Sequence, residues 1–131
     1  MKRFEDWPER LAAYVDVHRE TPFAWGAHDC ATFAAGALEA MTGHAMEVPN
    51  VESAADYARF VATSGTLGEH VTDHLGEPLA SPAFAQRGDV VLLLVDGRDS
   101  LGVCIGAQVA APGPTGLLVV PLSRASAAWR V

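Results

Sequence analysis

The stretch DCATFAAGALEAM, residues 29–41, determines how the rest of the chain is arranged. It predicts a helix that begins at Asp29-Cys30 and ends near Met41, with Gly43 just beyond its end as a C-cap. Most side chains in the middle of this helix are alanine or glycine, and small side chains let a neighbouring element pack close to the helix axis. We therefore expect a central helix that carries a cysteine in its first turn.

A helical pattern also precedes this segment. A first helix is predicted to begin near Trp7, with Asp6 as its cap and Glu9 at the capping-box spacing. The dipeptide Thr21-Pro22 is expected to end it. The residues that recur at helical spacing, and that we expect to form its buried stripe, are Trp7, Leu11, Tyr14, Val15 and His18.

The second half of the chain changes from helical to extended patterning. Two short helices are predicted, one over about 53–62 and one from the Thr66 capping box to Gly76. Turn-forming residues at 96–99 and 112–116 separate the apolar runs that follow. The expected antiparallel strands, three or four in number, span residues 90–95, 101–109, 117–122 and 128–131. Helices followed by strands are typical of an α+β domain.

Composition and charge restrict the classes of function. The 131 residues suffice for one domain over 1–131, and a hydrophobic fraction of 50% supports a folded core without a metal or a disulfide network. Sixteen acidic against nine basic residues give a formal net charge of −7, which repels nucleic-acid phosphates. The longest apolar run, 90–95, is too short to cross a bilayer. We predict no nucleic-acid binding, no membrane-spanning segment, no metal and no cofactor.

Two motifs occur in a recognisable order. The first is FAWGAHDC (residues 23–30), and the second is RGDVVL (87–92) followed by SLGVCIG (100–106). Together they resemble the NlpC-type, papain-like cysteine peptidases, which have an aromatic-x-Trp-Gly segment before an Asp-Cys helix. In that family a Gly-Asp strand is followed by a strand of the form His-Val-Gly-Ile-Tyr-Ile-Gly. The resemblance implies N-terminal helices, with a central cysteine-bearing helix packed on a small antiparallel sheet.

The resemblance assigns candidate roles to Cys30 and Ser100, and the position of His28, two residues before Cys30, makes it a further candidate. Cys30 falls at the nucleophile position, where a helix start favours the thiolate and offers N–H groups to an oxyanion. Ser100 falls at the position of the catalytic histidine, and serine cannot act as the general base. His28 is the alternative base if local looping brings it to the thiol; otherwise we expect a partly exposed loop histidine. The competing interpretation of Cys30 is a small buried apolar side chain.

Other reactive side chains receive structural interpretations. His70 and His74 have the spacing of two zinc ligands on a helix, but no further Cys or His lies nearby, and a solvated helix face is expected. Cys104 shares a strand face with Ser100. A disulfide between Cys104 and Cys30 is conceivable, but core packing is the expectation for Cys104.

Aromatic and acidic residues of the motifs are also given roles. Trp25 and Phe23 are expected to pack over the start of the cysteine helix, and Asp29 to cap it. Asp89 is interpreted as a turn residue that directs the chain into the following strand. For Trp129 two readings stay open, closure of the sheet edge and presentation of an interface.

The resemblance also implies a biological setting, because members of the family hydrolyse cell-wall peptides and some accompany phage tail tips. With Ser100 in place of histidine, we expect a degenerate, non-hydrolytic domain with a structural role in a phage or prophage tail tip. The candidate partners are other tail proteins and peptidoglycan peptides. The N-terminal residues lack a signal-peptide pattern, so the expected location is the virion tail after cytoplasmic assembly. Two alternatives stay open: an active Cys30-dependent peptidoglycan hydrolase, and an adaptor or immunity protein that has borrowed the fold.

Overall fold

Four helices and one antiparallel sheet make up the computed structural model, which describes residues 2–131. The helices are α1 (Trp7–His18), α2 (Cys30–Thr42), α3 (Ala54–Ser64) and α4 (Leu67–Leu75). The strands are β1 (Val90–Val95), β2 (Arg98–Cys104), β3 (Gln108–Gly113), β4 (Gly116–Pro121) and β5 (Ala125–Trp129). They run in the order β4-β3-β2-β1-β5, with every neighbouring pair antiparallel. The α+β class is confirmed, and no helix of the described residues is long and apolar enough to cross a membrane.

Local capping explains where the central helix begins and ends. The Asp29 carboxylate accepts a hydrogen bond from the Thr32 amide, and Thr32 Oγ1 accepts one from the Asp29 amide. At the other end Gly43 adopts a φ of +80°, which glycine reaches without strain. Both predicted ends of this helix are therefore confirmed to within a residue. Asp6 occupies the predicted N-cap position of α1, but its side chain makes no capping hydrogen bond and accepts one from the Arg10 guanidinium instead.

The close packing of α1 on α2 depends on the small residues of α2. A Cβ atom added at Gly36 would lie 2.2 Å from Tyr14 Oη, so only glycine leaves room for that ring. The Tyr14 hydroxyl donates a hydrogen bond of 2.8 Å to the Phe33 carbonyl. Leu11 and Val15 are buried beside it in one apolar cluster with Phe33. The small middle of α2 thus allows the close approach that its sequence predicts.

The two faces of the sheet carry separate parts of the core. The strand residues Val90, Leu101 and Val103 pack against the helices. The opposite face is covered by the segments around two short 3₁₀ helices, Pro82–Phe84 and Leu122–Arg124. Its buried residues are Val91, Leu93, Cys104, Val109 and Ala128. The sheet is therefore buried on both sides.

The strand prediction is right for β1 and, to within a residue at each end, for β4, and it is wrong for the bounds of the other strands. Asp96 and Gly97 form a two-residue hairpin turn with φ values of 52° and 75°, so β2 begins earlier than expected. The single strand predicted over 101–109 is in fact β2 and β3, joined by a short turn that contains Gly106. The last strand begins at Ala125, and the sheet has five strands rather than three or four.

Asp89 joins the two ends of the described chain. It is fully buried, and its carboxylate accepts hydrogen bonds from the Gln86 amide at 2.8 Å and the Val131 amide at 3.1 Å. The Arg3 guanidinium lies 3.1 Å from it and that of Arg130 lies 3.5 Å away. The interpretation of Asp89 as a turn residue is therefore incomplete, because it also balances two cations.

Both edges of the sheet contact other parts of the chain. At the β4 edge, the Leu117 amide donates to the Arg19 carbonyl at 3.0 Å, and Pro121 has no amide hydrogen. At the β5 edge, the Leu79 amide donates to the Ala128 carbonyl at 2.8 Å. The segment after α1 and the segment before the first 3₁₀ helix thus cover part of each edge.

Candidate functional site

Cys30 opens into a cavity of about 310 Å³ where β1 ends and β2 begins. The capping box at Asp29 fixes Cys30 as the first residue of α2. The cavity wall comes from the loop before α2, one side chain of α3 and the ends of three strands. Its principal side chains are Phe23, Trp25, Tyr57, Arg98, Asp99 and Ser100. Phe23 and Trp25 therefore lie beside the start of the cysteine helix, as their sequence position predicts.

Ser100 lines the same cavity as Cys30. Its Oγ lies 3.4 Å from the Arg98 carbonyl oxygen, which is long for a hydroxyl hydrogen bond. The backbone of the next residue, Leu101, is near enough to the Cys30 sulfur to act on its pKa, which it lowers. The fold therefore brings the start of β2 next to the thiol.

The surroundings of Cys30 keep its thiol protonated. Burial, and to a smaller extent the charge of Asp29, raise the pKa of Cys30 to about 11. Hydrogen bonds from the backbone of Leu101, Ala31 and Cys30 itself act in the opposite direction without cancelling it. Burial thus outweighs the helix terminus, which by itself favours the thiolate.

No histidine is among the described residues that line this cavity. His28 is only 6% exposed, and its ring stacks on that of His18 with centroids 4.9 Å apart. It also meets the Phe33 ring edge-on at 5.8 Å. The structure thus brings Cys30 and Ser100 together and places His28 in the contact between α1 and α2. The expectation of a partly exposed histidine at position 28 is wrong, because α1 covers it.

The remaining candidates lie away from the cavity. His70 Nε2 is 2.9 Å from the Glu47 carbonyl oxygen, and its ring meets that of His74 at 5.0 Å. Within residues 2–131, no group of three or more His, Cys, Asp or Glu side chains is placed to hold a metal ion. Cys104 and Cys30 are both free thiols, and Cys104 packs in the core on the sheet face opposite the helices. Trp129 is buried in the core rather than presented at an interface.

Three cavity residues were not singled out from the sequence. The Tyr57 hydroxyl of α3 donates to the Asp99 carbonyl at 3.3 Å. The Arg98 guanidinium carbon lies 5.2 Å from the ring centroid of Trp25. The Asp-Gly-Arg-Asp segment signals a turn, but nothing in it indicates that α3 and the loop before α2 meet it in space.

The fold and the site define a small α+β domain in which a cysteine at the start of the central helix faces the first residues of a strand. The chain belongs to a family of domains of unknown function, DUF6950, whose sequence model matches residues 2–131. No curated protein matches the chain. The match spans all the helices and strands described above.

Alkylation of Cys30 by iodoacetamide, followed in a Cys104→Ser variant, is expected to be slow at neutral pH. With a pKa of about 11, only about one thiol in ten thousand is ionised at pH 7. The rate should therefore rise about tenfold per pH unit until pH approaches the pKa, whereas that of a cysteine in an unstructured peptide levels off above its pKa of about 8.5. A plateau at or below the value for free cysteine would show an activated thiolate and contradict this expectation.

Acidification is expected to destabilise the protein through His28. Burial lowers the pKa of His28 and the neighbouring His18 lowers it further, while Asp29 acts in the opposite direction. His28 Nε2 is buried without a hydrogen-bond partner among the described residues. The fold therefore favours the neutral ring, whereas the unfolded chain takes up a proton near about pH 6.5. The stability that depends on a neutral His28 is fully present above that pH. It is lost as the pH falls from there towards the lower pKa that His28 has in the folded protein.

Urea unfolding at a series of pH values from about 7.5 to about 5 measures this loss. The variant His28→Gln should show a flatter decline of the unfolding free energy than the wild type. His44 is exposed after the end of α2, and His44→Gln, the matched control, should keep the wild-type profile. Equal slopes for His28→Gln and the wild type would rule out His28 as the cause.

Proposed function

We propose that this protein is a non-hydrolytic NlpC-like domain that serves as a structural component of a phage or prophage tail tip. The observation that carries the proposal is the content of the Cys30 cavity. A thiol with a pKa of about 11 is accompanied there by Ser100 and, among the described residues, by no histidine. A thiol that stays protonated and has no histidine beside it supports a site that does not hydrolyse peptides.

Peptide hydrolysis by a cysteine requires two proton transfers. The thiol must first lose its proton, and the departing amine must later receive one. Ser100 titrates in neither direction at neutral pH. The phenol of Tyr57 does not replace it, because burial and the nearby Cys30 and Asp99 raise the pKa of Tyr57. These properties support binding without cleavage.

The tail setting is supported by the sequence motifs. The segment FAWGAHDC and the pair RGDVVL and SLGVCIG follow the order seen in NlpC-type proteins, some of which accompany phage tail tips. In the proposed role the domain contributes to assembly with other tail proteins and not to hydrolysis.

Incubation with purified peptidoglycan and with isolated muropeptides tests the loss of hydrolysis. We expect no more soluble product than in a protein-free blank, and the same result for Cys30→Ala and for the wild type. An active peptidoglycan endopeptidase serves as the positive control for the substrate. A product that appears with the wild type and disappears with Cys30→Ala would overturn the proposal in favour of an active hydrolase.

The location is tested separately from the chemistry. Mass spectrometry of purified particles from a strain that carries the gene should detect the protein in the tail fraction. Affinity purification of the tagged protein should recover tail proteins. Recovery of a toxin in place of tail proteins would overturn the tail assignment and favour the adaptor or immunity alternative.

A further inference from the structure

Aromatic rings form one wall of the Cys30 cavity. Phe23 and Trp25 meet edge to face with centroids 4.8 Å apart, and Trp25 and Tyr57 lie 5.9 Å apart at an angle of 35°. All three side chains are half-buried, so part of each ring faces the cavity. Aromatic faces carry partial negative charge and attract cations.

The polar side of the cavity is acidic. Asp96 and Asp99 line it together with Arg98, which gives this side of the cavity two acidic residues and one basic residue. Among residues 2–131, the ion pairs with N–O distances up to 4.0 Å include none of these three side chains. No ion pair of the described residues therefore neutralises either carboxylate, and the chain as a whole, with a net charge of −7, attracts cations as well.

The chain's own cation already rests on the aromatic wall. The Arg98 guanidinium carbon lies 5.2 Å from the Trp25 ring centroid, within the range of a cation–π contact. Arg98 is exposed and sits on the hairpin after Gly97, so it can leave the ring without disturbing the core. The position of the Arg98 guanidinium shows that the Trp25 ring accepts a cationic group.

We propose that the Cys30 cavity binds the cationic side chain, lysine or arginine, of a basic segment of a partner protein. The proposal rests on the non-hydrolytic function proposed above and specifies what that site holds. The ligand cation displaces Arg98 from Trp25 and lies between the aromatic wall and the carboxylates of Asp96 and Asp99. A volume of about 310 Å³ is at the lower end for ligand pockets, which suits one long side chain.

The test uses the indole N–H signal of Trp25 in the NMR spectrum of the full chain, assigned with Trp25→Phe. The probes are N-acetyl methylamides of lysine, arginine, norleucine and glutamate, and the pentapeptide acetyl-Gly-Ala-Lys-Ala-Gly-amide. The lysine and arginine probes should shift the signal at concentrations at least about fivefold below those needed with norleucine. The pentapeptide should bind more tightly than the single lysine residue.

Two variants of the β1–β2 hairpin should change the affinity for the lysine probe in opposite directions. Removing the internal competitor with Arg98→Gln should tighten binding of the lysine probe about two- to fivefold, and Asp99→Asn should weaken it by a similar factor. A gain of affinity cannot come from misfolding, so Arg98→Gln remains informative if Asp99→Asn is unstable. Weaker binding by Arg98→Gln, or preference for the glutamate probe, would overturn the proposal in favour of an anionic ligand.

The remaining outcomes separate this inference from the proposed function. Equal binding of norleucine and lysine would overturn it in favour of an apolar ligand. Equal binding of the pentapeptide and the single residue would overturn the assignment to a polypeptide segment. If the lysine peptide binds and is also cleaved, the result supports the proposed cation site and contradicts the proposed non-hydrolytic function. If no basic probe binds while peptidoglycan stays intact, the inference alone fails.

Discussion

The Asp89→Asn variant is expected to lose about 3–5 kcal/mol of unfolding free energy, a large part of the stability of a domain of this size. The carboxylate is fully buried and accepts hydrogen bonds from the amides of Gln86 and Val131 and from Arg3. Asparagine removes the charge that balances Arg3, whose side chain is only 16% exposed, and turns an NH₂ group towards a cluster of donors. Urea unfolding monitored by circular dichroism measures the loss.

An exposed ion pair provides the matched control for Asp89. Asp16 of α1 lies 2.9 Å from Arg19, which follows the helix, and both side chains are largely exposed, so Asp16→Asn should cost less than about 1 kcal/mol. A double-mutant cycle between Asp89→Asn and Arg3→Gln should show a clear departure from additivity, because the two groups share one contact. Additive losses, or a loss at Asp89 no larger than that at Asp16, would show that the buried network does not stabilise the fold.

The Trp129→Ala variant is expected to cost about 3–5 kcal/mol. Trp129 is 2% exposed and packs with Leu67, Val71 and Val90, so it joins α4 to the sheet. Its indole N–H donates a hydrogen bond of 3.1 Å to Thr72 Oγ1. Alanine leaves a cavity between helix and strand that rigid neighbours fill only in part, and the unfolding midpoint in urea should fall accordingly.

Two further variants separate the causes of the loss at Trp129. Thr72→Val removes only the hydrogen-bond acceptor and should cost about 1 kcal/mol. Trp7 is a partly exposed tryptophan of α1 that lies under Arg3, and Trp7→Ala should cost about 1–2 kcal/mol. If Trp7→Ala and Trp129→Ala have equal effects, then burial of Trp129 against α4 does not account for its contribution.

The helices were predictable from sequence because their ends are set by local chemistry. The capping boxes at Asp29 and Thr66 each use a side chain three residues away, and Gly43 ends α2 through its own backbone preference. These signals lie within a few residues of the boundary that they define. The position of Cys30 at a helix start follows from the same local rule.

Features that depend on distant parts of the chain were not predictable in the same way. Gly106 does not by itself distinguish an interrupted strand from a turn between two strands, which led to one strand in place of β2 and β3. The burial of His28 is decided by α1, and the role of Asp89 by residues at both ends of the chain. The pKa of Cys30 was likewise not predictable from the sequence, because burial by several elements outweighs the local effect of the helix end.

Only part of the candidate site could therefore be predicted from the sequence. Motif order placed Cys30 and Ser100 in one site, and both line the cavity. Tyr57 comes from α3, which no motif connects with the cysteine, and Arg98 and Asp99 were read only as turn residues. A cavity wall assembled from separate elements becomes apparent only when the fold is known.

The covered sheet edges have a consequence for how copies of this protein, or its partners, can associate. The contacts at Leu117 and Leu79 use backbone groups that an incoming strand would need, and Pro121 offers none. Growth of a shared, continuous sheet across subunits is thereby disfavoured, and with it uncontrolled fibre formation. Subunits in an assembly would instead meet through side chains, which allows reversible contacts that ionic strength can tune on a chain carrying a net charge of −7.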